Sequence, residues 1–325
     1  MKIYNIGILG AGRIAHTMAE TINGMQNAKC YAIASRTLSK AEEFAKDFGF
    51  EKAYGSYEEL AGDENVDLIY VATPHSEHLA NTKLCIQYHK PTLVEKSFTV
   101  NTEQARELLA LAESEKVLVT EAIWVRYMPF LEKIKEVVNS GIIGKPKMLT
   151  ANLGYNVAHK SRLIKPELAG GALLDVGVYA LNFACMIFGT DFEKASSICT
   201  YAQTGVDEQD SMTLIYPDGK MAVLNASMIS VSDRKGIIHG EKGFIIIENI
   251  NNFESVTVYD NAYQQIAHYE REKQITGYEY EVEAALKAIE FDEMECSQMP
   301  HAETIRMMEI MDSFRKEWKI KYPCE

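Results

Sequence analysis

The stretch "GILGAGRIA", Gly7 to Ala15, sets Gly10, Gly12 and Ala15 between an apolar run and a helical one. Gly10 permits a tight turn, Gly12 lets backbone approach a pyrophosphate, and Ala15 allows close packing of helix on strand. The N-terminus of the helix then faces the anion. A glycine pattern alone is weak evidence, but here it has the strand–turn–helix context that dinucleotide binding needs. The cofactor residues assigned to this turn are Gly10, Gly12, Arg13 and Ile14.

Working outward, the chain alternates up to about residue 122 between short apolar runs and helical stretches. The runs are "IYNIGILG", "KCYAIASR", "VDLIYVATP", "PTLVEK" and "VLVTEA". Such alternation, rich in Val and Ile, argues for a parallel sheet with helices on both faces. Asn101 with Gln104 three residues on resembles a capping box. After residue 122 the character changes. "PFLEKIKEVVNSG" reads as an amphipathic helix, "KPKMLTANLGYN" as a strand, and "GGALLDVGVYALNFACMIFG" as a nearly all-apolar helix. Residues 193 to about 270 are strand-like runs broken by turns such as "YPDGK" and "HGEKG", which suit antiparallel pairing, and two helical segments follow. The expected fold is α/β: a doubly wound Rossmann domain over 1–122, then a substrate-binding and oligomerisation α+β domain over 123–325. The second domain is expected to hold a mainly antiparallel, open-faced sheet.

Composition narrows the function. A net charge of −13 argues against a nucleic-acid surface, which needs clustered Lys and Arg, and disfavours an anionic membrane. The six cysteines form no CxxC pair and no zinc spacing with histidine, so no metal is expected, and free thiols in a reducing cytoplasm are. The first residues do not read as a signal peptide, and no apolar run reaches membrane-spanning length without a charged or polar break.

The second strand ends "AIASRTLSK". Where NAD-preferring sites place an acid on the adenosine ribose, this chain has Ser35 and Arg36. A guanidinium there can grip a 2′-phosphate and stack on adenine, so NADP is expected over NAD. In "VATPHSEHL", Pro74 forces the chain out of the sheet and leaves Thr73 and His75 at its carboxyl edge, where doubly wound sheets bind ligands. In "TLVEKSFTV", Glu95 reads equally as a solvated strand end or part of a site, whereas Lys96 shares the edge with Gly12 and Thr73. From Gly170 to Gly189 the only charged residue is Asp175. A buried carboxylate needs a cation or several donors, and Tyr179 lies four residues on, one turn away.

"GILGAGRIA", "VATPHSEH", "VEKS", "EAIWVRYMPF" and "GGALLDVGVYAL" together resemble the Gfo/Idh/MocA oxidoreductases, and within them the branch of dimeric dihydrodiol and NADP-dependent D-xylose dehydrogenases. The resemblance runs the full length. It implies that Lys96 matches the lysine of the family's Glu-Lys-Pro segment, with Ser97 in place of proline, and that Asp175 and Tyr179 match its Asp-x-x-x-Tyr. It further implies that Thr73, Pro74 and His78 lie near the nicotinamide, with Glu95, Trp124 and Arg126 also in the cofactor set. Tyr155 and His159 are candidate substrate residues.

The implied activity is hydride transfer between NADP(H) and the CH–OH or C=O group of a small sugar, polyol or diol. Tyr179 would exchange the hydroxyl proton, its ordinary pKa near 10 lowered by the Lys96 ammonium. Lys96 would also stabilise charge on the substrate oxygen, and Asp175 would orient lysine or substrate. Two alternatives stand beside it: an NAD(P)-dependent glycoside hydrolase of the same family, and a non-catalytic NADP-binding module. Relatives cover the open sheet face with a second subunit, so a homodimer is implied, in the cytoplasm.

Overall fold

The computed structural model describes residues 2–325. Its compact units are Met1–Tyr127 with Gln274–Met308, and Met128–Lys273 with Glu309–Glu325. The contiguous division expected at residue 122 thus differs, because segment 274–308 packs with the nucleotide domain. There Gly277 lies against the Trp124 ring and the His301 ring meets the Val119 carbonyl.

In the first unit β1 (Tyr4–Leu9), β2 (Ala28–Ala34), β3 (Lys52–Tyr54), β4 (Leu68–Val71), β5 (Thr92–Glu95) and β6 (Val119–Ala122) form one sheet in the order β3-β2-β1-β4-β5-β6. Every pairing is parallel. The connecting helices are α1 (Arg13–Gly24), α2 (Leu38–Phe48), α3 (Tyr57–Ala61), α4 (His78–Gln87) and α5 (Thr102–Glu115). Strand order reverses between β1 and β4, the place where such sheets bind nucleotides. The sequence reading lacked β3 and α3: β3 has three residues, none of them buried, so it offers no apolar period. At α5 the Asn101 side chain accepts from the Gln104 amide at 2.9 Å, as expected. Gln104 reaches back to the Val100 amide, 3.3 Å, rather than closing the box on Asn101.

In the second unit α6 (Phe130–Asn139) precedes β7 (Pro146–Gly154). The expected apolar helix is a π-turn, Leu173–Gly177, running into α7 (Val178–Phe188). Strands β8 (Lys194–Tyr201), β9 (Asp207–Ile215), β10 (Met221–Ser227), β11 (Gly236–Gly240), β12 (Gly243–Glu248), β13 (Ser255–Asp260) and β14 (Gln265–Glu270) complete a sheet ordered β14-β13-β12-β11-β7-β10-β9-β8. It is antiparallel except between β7 and β10. Helices α8 (Glu279–Glu290) and α9 (His301–Trp318) end the chain. The segment Pro166–Phe188 is apolar enough to cross a membrane, but 78% of its most apolar window is buried inside the protein, as a core helix would be.

Side chains alternate across this sheet. Leu149, Ala151, Met212, Leu214, Ala222 and Leu224 lie on the buried face, where the π-turn and α7 pack. The π-turn rests on two acids. Asp207 accepts from the Leu173 amide at 2.5 Å, and a Cβ at Gly171 would fall 2.2 Å from its Oδ1. A Cβ at Gly177 would sit 3.3 Å from Asp210 Oδ2. No larger residue fits Gly171, whose φ of +133° also favours glycine. Burial raises the pKa of both acids, and the Asp207 charge pushes Asp210 further, well above the usual carboxylate range.

Asp210 therefore keeps its proton to higher pH in the folded protein than in the unfolded chain. Its contribution is full below about pH 4 and declines as pH rises towards its folded-state pKa. Asp210→Asn should remove this loss. The melting midpoint of the variant should gain on wild type as pH rises from about pH 4, and a constant difference between the two would contradict this.

Candidate active site

The nucleotide end is built from backbone. Gly10 has φ +99°, and a Cβ there would meet the Ala72 carbonyl oxygen at 3.0 Å and Thr73 Cγ2 at 3.3 Å. The turn after β1 and the end of β4 are thus in contact, and only glycine allows it. At Gly12 an added Cβ would find a single atom, Ala72 O at 3.9 Å, and otherwise open space. Gly12 is the N-cap of α1 with no side-chain cap, and the first turn holds no acid. Unmet amides, a positive dipole end and open space fit a dinucleotide pyrophosphate. Arg13 is exposed and Ile14 half-buried at the same opening. Ser35 is buried, its amide bonded to Tyr54 O at 3.2 Å, and Arg36 is exposed. The Arg36 charge reaches the Tyr57 ring, so the β2 end presents a guanidinium and no acid.

Along the same edge β4 leads out to Thr73 and β5 to Lys96. The Thr73 hydroxyl accepts from Asn81 at 3.0 Å. Glu95 accepts from the Tyr70 hydroxyl and, at 3.1 Å, from the Lys96 amide. Glu95 is thus a buried scaffold, which answers the ambiguity left by sequence. The Lys96–Ser97 peptide is cis. Phe98 donates its amide to Glu121 at 3.0 Å. The Lys96 carbonyl lies 3.2 Å from His75 Nε2.

The expectation for His78 is revised. Its side chain is wholly buried, with Nδ1 2.9 Å from Ser97 O and 3.2 Å from Phe98 O, and Nε2 2.9 Å from Thr73 O. With both nitrogens engaged by backbone, the ring has no edge left for a cofactor. It ties the β4 end to the lysine turn instead. Burial, the largest influence, holds its pKa below the ordinary value; the three carbonyl contacts oppose this and the Lys96 ammonium adds to it.

Trp124 and Arg126 lie in the helical turn after β6, both buried. Trp124 stacks on Tyr278 with ring centres 4.1 Å apart, and Arg126 pairs with Glu303 at 3.1 Å. Neither partner was legible in sequence, since both come from the segment that returns to this unit.

In the second unit the buried Asp175 accepts from Arg162 Nη2 at 3.1 Å. Sequence required a cation or several donors for this acid, and Arg162 supplies a cation in this unit. Tyr179 is 6% exposed. The expected four-residue step from Asp175 begins in the π-turn, which widens the spacing of an ordinary helix. The Tyr155 hydroxyl bonds Asn251 at 3.2 Å, and His159 is exposed in the segment that follows. Among the described residues no cluster could hold a metal ion.

The parallel order, the glycine turn at the strand-order reversal and the lysine on the same edge define a nucleotide-binding oxidoreductase. Residues 4–123 match the oxidoreductase family with NAD-binding Rossmann fold, and residues 131–246 match the GFO/IDH/MocA C-terminal domain. The chain belongs to the Gfo/Idh/MocA oxidoreductase family. It is 38% identical over 247 residues to trans-1,2-dihydrobenzene-1,2-diol dehydrogenase of Mus musculus, covering 75% of this chain and 74% of that protein. The Xenopus tropicalis protein of the same name is 32% identical over 326 residues, 98% of each chain. Among solved structures, the 3-ketoreductase KijD10 of Actinomadura kijaniata, in complex with NADP and TDP-benzene, has a TM-score of 0.89 at 21% identity. It covers 97% of this chain and 98% of its own.

Because Gly12 faces open space, Gly12→Val should fold with little change in melting midpoint yet fill the anion cradle. Titration calorimetry should show dinucleotide affinity reduced by roughly 100-fold, about 3 kcal/mol. Unchanged affinity would place the pyrophosphate elsewhere.

Proposed function

We propose that the protein is an NADP-dependent dehydrogenase that interconverts CH–OH and C=O at one carbon of a small sugar, polyol or diol. The observation that carries this reading is the shared edge of the first unit. The open Gly12 cradle, Thr73 and the Lys96 turn follow neighbouring strands, and Arg36 stands where an NAD site would place an acid. The dihydrodiol dehydrogenase relatives and the NADP complex of the ketoreductase support it. Bound NADP(H) supplies the hydride acceptor or donor.

The chain's own residues do the rest. Unmet amides at the α1 N-terminus receive the pyrophosphate, and Arg36 receives the 2′-phosphate. Lys96 donates to the oxygen on the reacting carbon and stabilises the charge that develops there. Tyr179 exchanges the hydroxyl proton. Asp175, held by Arg162, orients the reacting groups. Tyr155 and His159 are the substrate-side candidates.

A homodimer in the cytoplasm completes the proposal. Among the described residues no disulfide joins any of the six cysteines, in keeping with a reducing compartment. Across β8, β9, β10 and β7 the residues Ile198, Ser211, Asn225 and Asn152 stand in register on the open sheet face. They line a depression of about 340 Å³, and Ile198 is 71% exposed. An isologous contact with a second copy would cover this face.

The test is a panel of aldoses, polyols and diols, each with NADP and with NAD, followed by cofactor absorbance. Net cofactor turnover with at least one substrate, faster with NADP, is expected. Glycoside cleavage without net cofactor change would favour a hydrolase, and silence across the panel a binding module. Lys96→Met should lower turnover by about three orders of magnitude, roughly 4 kcal/mol, with NADP affinity retained. Near-normal turnover would remove lysine from the chemistry.

A further inference from the structure

Glu121, the penultimate residue of β6, is 2% exposed, and no part of the mechanism above uses it. It lies across from Val94 in the neighbouring strand, and its Oε1 accepts the Phe98 amide at 3.0 Å. Phe98 is two residues beyond Lys96, in a turn that neighbouring side chains also hold. The Lys96 amide is on Glu95, and the Ser97 and Phe98 carbonyls are on His78. The Glu121 carbonyl is itself fixed by the Tyr127 hydroxyl at 2.8 Å. Glu121 thus ties the turn to β6 through the Phe98 amide.

We propose that Glu121 is a positioning residue for Lys96, acting through the Phe98 amide, and that its ionisation gates turnover. The proposal rests on the reading of Lys96 given above. A carboxylate accepts an amide hydrogen bond more strongly than a neutral carboxyl group does. The lysine turn is therefore held more firmly when Glu121 is charged. The surroundings set the range in which this happens. Burial pushes the Glu121 pKa up to about 7, against the Phe98 amide, the Arg126 guanidinium and the Thr304 hydroxyl, while the Glu95 charge adds to the rise. These groups come from the turns after β5 and β6, from α9 and from β5. Glu281 on α8, fully buried, stands by Glu95, and burial holds its own pKa well above the carboxylate range. Below about pH 7 Glu121 is neutral, and above it is charged. Turnover should rise through this range.

Glu121→Gln keeps the acceptor and loses the ionisation. In the full-length enzyme with NADP and the best panel substrate, wild-type kcat should climb about tenfold between pH 6 and pH 8, as loss of about 1.4 kcal/mol of orientation implies. The variant should stay flat near the wild-type value at pH 6, with KM for NADP unchanged. A purely structural role would shift the melting midpoint and leave the shape of the pH profile intact, and that result overturns the proposal. A second measurement needs no variant. In wild type labelled with 15N-phenylalanine and 13C-serine, only Phe98 and Phe314 follow serine. The Phe98 amide resonance should titrate near pH 7, and a flat Phe98 resonance from pH 5.5 to 8.5 overturns the proposal. If Lys96→Met keeps its turnover, the reading of lysine fails, whatever Phe98 shows.

Discussion

The contact between the turn after β1 and the carbonyl that ends β4 governs the rest of the nucleotide unit. Any side chain at Gly10 would press on Ala72 O, and the backbone there is left-handed. Glycine lets the two strand ends meet where strand order reverses. The N-terminus of α1 is thereby left uncapped beside Thr73, on the edge where Lys96 emerges from β5. A parallel sheet puts all its carboxyl ends on one side, so a single close approach gathers cradle and lysine without further design.

The same edge is built on buried acid. Glu95, Glu121 and Glu281 lie within the first unit at 6% exposure or less, as Asp207 and Asp210 do within the second. Buried carboxyls are costly unless neutral or supplied with donors. Here both solutions occur. Glu95 has Tyr70 and the Lys96 amide, Asp207 has the Leu173 amide, and burial pushes Glu281 and Asp210 well above the usual carboxylate range, towards the neutral form. In each unit the partnered acid grips backbone that carries a candidate catalytic residue: the Lys96 turn in one, the π-turn of Asp175 in the other.

Much of this was legible in the sequence. The glycine turn, the five long strands of the first unit, helices α1, α2 and α5 and the run of later strands follow from periodicity and turn residues. What failed was local or distant. β3 is too short to show a period, and the π-turn arises because Gly171 and Gly177 rest on acids more than thirty residues away in the chain. His78 entered the cofactor set through the family resemblance; its ring is held by carbonyls from the β5 turn and from the end of the β4 segment. Arg162, Glu121 and Tyr278 were invisible for the same reason, since each matters only through a partner that the fold supplies.

The central claim is hydride transfer between NADP(H) and a carbon of the substrate, with no net role for water. It is tested most directly by supplying NADPH deuterated at nicotinamide C4, on each face in turn, with the carbonyl form of a panel substrate. Mass spectrometry of the product should show one deuterium on the new CH–OH carbon, from one face only, in step with cofactor oxidation. Product formed without deuterium and without cofactor oxidation would contradict the account.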